Sequence, residues 1–270
     1  MKTAETLLAC CVVGLACFIG GQTVGARGSS VLIESSGTIA TRPARVGPLD
    51  STAAPTAKRL STAHGEERLV TSNAPAERPR RDVDDARRRI AMGMDGTYIH
   101  ELLTARDSAI ARWPDRLSRP LRVHVRESEE LESWNPDFTP AVRDAFDTWV
   151  QSGIPVRFTF VRDSATADIH VRFVSSFANG ISGKTVWSRD GLHWLLSSDI
   201  QLAVTHPNGG SITPPQMRAI ALHEVGHLLG LDHTSDPDNI MSARIRVREL
   251  SEADRATVRL VYSVPAGSLK

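Results

Sequence analysis

The chain has 270 residues, with 32 Lys and Arg against 31 Asp and Glu for a formal net charge of +1. That balance leaves no electrostatic footprint for nucleic acid, and the length allows one ordinary domain with extensions or two small ones. The three cysteines, Cys10, Cys11 and Cys17, share one apolar N-terminal run, so the rest of the chain has no disulfide to lean on.

Taken in chain order, Leu7–Gly21 is almost wholly apolar and follows Lys2. A run of about 15 residues is short for a membrane span of about 20 but suits the core of a signal peptide. Val24-Gly25-Ala26 then offers the small residues that a signal peptidase reads. Residues 1–26 are therefore expected to be a signal peptide or an N-terminal membrane anchor, giving a secreted or otherwise extracytoplasmic protein. If uncleaved, that segment is the only membrane contact expected. From residue 27 to 95 the composition turns to Ser, Thr, Ala, Pro, Gly and Arg with few large apolar side chains. Such a stretch buries too little surface to offset its ordering entropy, and it reads as a disordered linker or pro-segment. Residues 96–112 follow, where Tyr98–Ala111 reads as a lead-in helix ended at Trp113-Pro114.

Residues 113–265 carry the elements of a folded domain. Leu121–Val125 alternates as a strand, and Pro140–Gln151 reads as a helix with Thr139 as its cap and Val142, Phe146 and Trp149 on one stripe. Val156–Val161 and Asp168–Val174 are expected strands, and Lys184–Ser188 and Trp194–Val204 flank a turn at Arg189-Asp190-Gly191. Two helices follow, Pro214–Leu229 and Ser251–Tyr262, the second capped by Ser251. Strands separated by helices predict an α/β domain with a mixed sheet packed on helices.

The chemistry is concentrated in His223-Glu224-Val225-Gly226-His227-Leu228-Leu229-Gly230-Leu231-Asp232-His233. On a helix, His223 and His227 lie one turn apart and project from one face. A third ring on that face would sit too far along the axis to close a tetrahedron. Gly230 tolerates the positive φ that ends a helix sharply, so the chain can double back and bring in His233. Three protein ligands leave a fourth zinc position open, the arrangement of a catalytic site. Glu224 follows the first ligand and suits a general base.

This segment resembles the zinc motif of the metzincins, and Met241 in Asp238-Asn239-Ile240-Met241-Ser242 stands where that clan has its Met-turn. Within the clan the chain is most similar to the matrixins, through Leu231-Asp232-His233 and the short spacing from His233 to Met241. Ala141–Trp149, Ile154–Phe158, Ala167–Phe173 and Leu250–Tyr262 match more loosely, so the resemblance spans roughly 113–263. It implies a twisted, mixed five-stranded sheet with one antiparallel edge strand, packed on two long helices and a C-terminal helix. It also implies a monomeric metalloendopeptidase with one catalytic zinc, whose protein or peptide substrates lie extended along an edge strand near Gly183–Trp187. Ala219, one turn before His223, falls where matrixins set the depth of a specificity pocket, and a small residue there implies a roomy one. Calcium sites, common in matrixins, are a further implication. The departures are specific. No cysteine is placed for a propeptide switch, Ser188 and Gln201 stand where a second zinc would need stronger ligands, and Ser242 follows the methionine where other metzincin branches have tyrosine. The alternative to an enzyme is an inactive zinc-binding module that grips extended peptides or a partner, against which an intact Glu224 counts. The natural substrate and the means of latency are not written in the sequence.

Overall fold

Alternating burial builds the sheet. In the computed structural model, which describes residues 58–62, 65–69 and 82–270, the odd positions Ile169, Val171 and Phe173 of one strand are buried while Arg172 is exposed. The chain divides into two units, Met1–Ser51 and Thr52–Lys270, and every described residue belongs to the second. The expected leader at 1–26 lies outside the described residues.

The strands are β1 (Lys58–Thr62), β2 (Gly65–Leu69), β3 (Ala109–Ile110), β4 (Arg116–Arg126), β5 (Val156–Phe160), β6 (Ile169–Val174), β7 (Gly183–Arg189), β8 (Leu195–Ala203) and β9 (Gly267–Ser268). The helices are α1 (Val83–Gly93), α2 (Ile99–Ala105), α3 (Phe138–Val150), α4 (Pro214–Leu228) and α5 (Glu252–Ser263). Five strands in the order β7-β8-β6-β4-β5 form the mixed sheet of the domain. β5, β4, β6 and β8 run parallel, whereas β7 runs antiparallel to β8 with Gly183 opposite Leu202 and Trp187 opposite Ser198. The mixed α/β architecture expected from the sequence is therefore present.

β7 is not a bare edge, however. β2 pairs parallel to it, Glu66 opposite Val186 through Leu69 opposite Arg189, and β1 closes a hairpin outside β2, so the sheet has seven strands. Both hairpin strands, and α1, fall within the 27–95 stretch read from the sequence as a disordered linker or pro-segment. Backbone pairing to an existing edge needs no core of its own. The lead-in helix is also shorter than the expected Tyr98–Ala111. It ends at Ala105, Asp107 and Ser108 take positive φ of 51° and 61°, and the chain then enters β3.

α3 buries Phe138, Val142, Ala145, Phe146 and Trp149, the i, i+4, i+7 spacing of one helical face. It starts at Phe138 with Asp137 in the cap position, two residues before the expected Pro140 start and Thr139 cap, and Thr139 lies buried within the first turn. Trp149 Nε1 donates to Leu222 O of α4 at 2.8 Å, and Trp113 Nε1 donates to Leu228 O at 2.9 Å. α4 is buried on every side from Ala219 to Leu228, which identifies it as the central helix of the core rather than a surface one. Thr213 and Gln216 close its N-terminus reciprocally, with prolines in the first turn where the missing N–H costs nothing. Among the described residues no helix is long and apolar enough to cross a membrane.

Candidate metal centre

The last turn of α4 and the bend after it place three imidazoles around one point. His223 Nε2 lies 3.1 Å from His233 Nε2 and 3.1 Å from His227 Nε2, and the third separation is 3.2 Å. Among the described residues this is the group of histidine, cysteine or carboxylate side chains whose ligand atoms converge as a metal site requires. The other ring nitrogens are spoken for. His223 Nδ1 donates to Ile240 O at 2.7 Å and His227 Nδ1 donates to Leu231 O at 3.1 Å. Because a carbonyl can only accept, the protons of these two rings sit on Nδ1 and their Nε2 lone pairs face inward. Lone pairs crowded at this distance repel unless a cation lies among them. The separations are close to the roughly 3.3 Å edge of a tetrahedron with Zn–N of about 2.0–2.1 Å, so the residues fit zinc. Burial also drives the His223 ring below its usual pKa and the His227 ring well below it, keeping both in the neutral, ligating form.

Two glycines make the convergence possible. Gly230 has φ +96°, and a Cβ there would overlap the carbonyl oxygen of Ala111, so the turn that delivers His233 needs glycine for both its backbone and its clearance. Gly226, between the two helical ligands, lets Met241 come against the helix; a Cβ would overlap Met241 Sδ and crowd Trp149. Met241 is fully buried, with its thioether against Gly226 of the helix.

Glu224 faces β7. Its carboxylate Oε2 accepts from Thr185 Oγ1 at 2.6 Å, and the same hydroxyl lies 3.0 Å from Glu224 O. Gly183, two residues earlier on the same face of β7, leaves space that a Cβ would take from the carboxylate. Burial pushes the Glu224 carboxyl up to about 7, with the Thr185 hydroxyl pulling the other way. Ala219, also buried, lines the same cleft of about 740 Å³ together with the triad and the segment 243–248.

Sequence reasoning missed the outer supports. Arg106, just after α2, donates from Nε to Asp232 Oδ2 at 3.2 Å and from Nη2 to Leu231 O at 3.0 Å, and Asp232 Oδ1 accepts from His233 N at 2.8 Å. Glu101 of α2 accepts from Thr234 Oγ1 and Ser235 N. Asp254, wholly buried, accepts from Ile240 N at 2.9 Å and from Tyr98 Oη at 3.0 Å, bracing the residue whose carbonyl holds His223. The lead-in segment is thus a clamp on the ligand-bearing turns, the kind of support that orients metal-binding imidazoles. Asp232, inside the motif, was the one signal that could have prompted a search for a buried cation. Of the aspartates near turns, Asp163 caps a short 3-10 turn, Asp168 pairs with Arg122 and Asp190 accepts from Leu192 N and Trp194 N.

Comparison with known proteins converges on the same segment. The family model described as Matrixin matches residues 123–263, just over half of the chain. Metalloendoproteinase 1-MMP of Arabidopsis thaliana is 30% identical over 146 residues, covering 47% of this chain and 38% of its own length. Matrix metalloproteinase-15 of Homo sapiens is 27% identical over 158 residues, 47% of this chain and 22% of its own. Metalloendoproteinase 1 of Glycine max is 26% identical over 147 residues, 47% of this chain and 46% of its own. The chain therefore spans less than half the length of these relatives.

Proposed function

This chain belongs to the matrixin family, and on that premise we propose that it is a zinc-dependent metalloendopeptidase with Glu224 as its general base. The observation that carries the reading is the triangle of Nε2 atoms, 3.1–3.2 Å on a side, next to a buried carboxylate on the same helix. His223, His227 and His233 would hold the metal. When bound, zinc supplies a Lewis-acidic dication that polarises a carbonyl and acidifies water. The Glu224 carboxylate takes a proton from the attacking water as its oxygen bonds to the peptide carbonyl carbon. It then delivers that proton to the departing amide nitrogen as the C–N bond breaks. A carboxyl near neutrality is suited to both transfers. Thr185 and Gly183 keep it aimed into the cleft, and Met241 supports the rings without ligating.

We read the substrate as an extended peptide adding to β7 by main-chain hydrogen bonds. β2 takes the Val186–Arg189 part of that strand, so Gly183–Thr185, beside Glu224, is the part left for a substrate. Ala219 leaves room for a large side chain. Placement outside the cytoplasm rests on the apolar Leu7–Gly21 run. The test is casein digestion by the zinc-loaded protein with and without chelator, run beside Glu224→Ala. Chelation should abolish digestion. The variant should keep its zinc and lose turnover by on the order of a thousandfold. Retained proteolysis in the variant removes Glu224 as base, and proteolysis indifferent to chelator removes the metal mechanism.

A further inference from the structure

One wall of the cleft is built from Ala243–Arg248, and its side chains alternate. Ile245 and Val247 are half-buried and pack on the core, while Arg244, Arg246 and Arg248 are exposed and border the cleft. None of these three guanidiniums forms an ion pair with any described residue. The segment is nonetheless held in place, because Arg218 of α4 donates to Arg248 O at 2.8 Å and is itself paired with Asp144 and Glu249. Among the described residues the one carboxylate lining the cleft is Glu224, already engaged by Thr185. With 32 basic and 31 acidic residues in the whole chain, a rim of three arginines without an ion pair among the described residues is a local arrangement and not a reflection of composition.

Its location is one-sided. The segment follows Met241, which packs against Gly226 between two of the histidines, and ends at Arg248, held by Arg218, five residues before His223 and so about 7.5 Å away along the helix axis. A peptide crossing the triad would pass the arginines on one side of the scissile bond and not on the other. From this we infer that the cleft selects peptides bearing aspartate or glutamate side chains on one side of the cleaved bond, paired with Arg244, Arg246 and Arg248. The inference rests on the endopeptidase reading and names its substrate class. Guanidiniums suit this role because their planar donor fork matches a carboxylate, and a cationic rim also raises the encounter rate with anionic peptides. The contribution is salt-sensitive, since exposed pairs are screened within a Debye length of about 8–10 Å.

The test uses a peptide series in which a single glutamate is moved through three positions on each side of one cleavable bond. Glutamate on one side should raise kcat/KM about five- to tenfold over glutamine at low ionic strength, and the gain should shrink in high salt. Replacing all three arginines by glutamine should erase the preference and leave cleavage of the uncharged peptide unchanged. In parallel, fluorescence anisotropy with the Glu224→Ala protein should show tighter binding of the acidic peptides, lost when the arginines are replaced. Equal cleavage and equal binding of acidic and neutral peptides overturn the inference and leave the protease standing. Selective binding without cleavage of any peptide by the zinc-loaded wild type overturns the protease and leaves the acidic-peptide surface.

Discussion

The two walls of the cleft are held by different means. Along α4, His223, His227 and Glu224 are buried and tied to a main-chain carbonyl or a neighbouring side chain, His223 to Ile240, His227 to Leu231 and Glu224 to Thr185, while His233 in the turn after it is half-buried. Along Ala243–Arg248 the backbone is anchored but the arginines reach solvent. The difference teaches where tolerance should lie. Chemistry needs groups fixed within fractions of an ångström, and burial with satisfied hydrogen bonds provides that. Selection among substrates needs only charge near a path, which exposed side chains provide.

The contrast breaks most visibly at Gly230. Alanine there must adopt φ near +96° and overlap Ala111 O, so Gly230→Ala should cost roughly 3 kcal/mol or more in urea unfolding. Arg246→Gln on the other wall should shift the same measurement by less than about 0.5 kcal/mol. Equal costs would show that the two walls are not distinct.

The second prediction concerns pH. In the folded, metal-free protein burial raises the Glu224 carboxyl from 4.5 to about 7, so the folded state holds that proton more tightly than the unfolded chain does. Ionisation therefore penalises folding. The penalty is absent below about 4.5, grows as pH rises and is complete above about 7. The stability of Glu224→Gln relative to wild type should follow that curve, rising by on the order of 3 kcal/mol across the window. Taking the difference between the two proteins removes the opposing effect of His223 and His227, whose depressed values penalise the folded state as pH falls below 6.5. A difference that is flat with pH would contradict the buried setting of Glu224.

The smallest effect is the most local. Thr185→Val keeps the shape and removes the hydroxyl, so kcat should fall about tenfold with KM and zinc content unchanged. Thr185→Ser should restore most of it. If valine and serine behave alike, the hydroxyl does not position Glu224.

The residues that would hold the metal were legible in the sequence because they are neighbours along it. A helix places His223 and His227 one turn apart whatever surrounds it, and Gly230 announces the turn that returns His233. The cap at Ser251 was readable for the same reason, and its reciprocal bonding with Asp254 is present. Thr185 and Arg106 were not readable. They lie 39 residues before Glu224 and 126 residues before Asp232, and only the packed fold brings them together. β1 and β2 were missed differently. Their sequences carry no apolar alternation, and they are ordered through backbone pairing, β2 with β7 and β1 with β2.

Met241 carries one more consequence. Its side chain is wholly buried, with the sulfur packed against Gly226 of the helix that carries His223 and His227. Peroxide should spare this thioether in the native protein and convert exposed Met92, whose side chain is open to solvent, first. Sulfoxide at residue 241 would then serve as a chemical clock for excursions that open the catalytic floor.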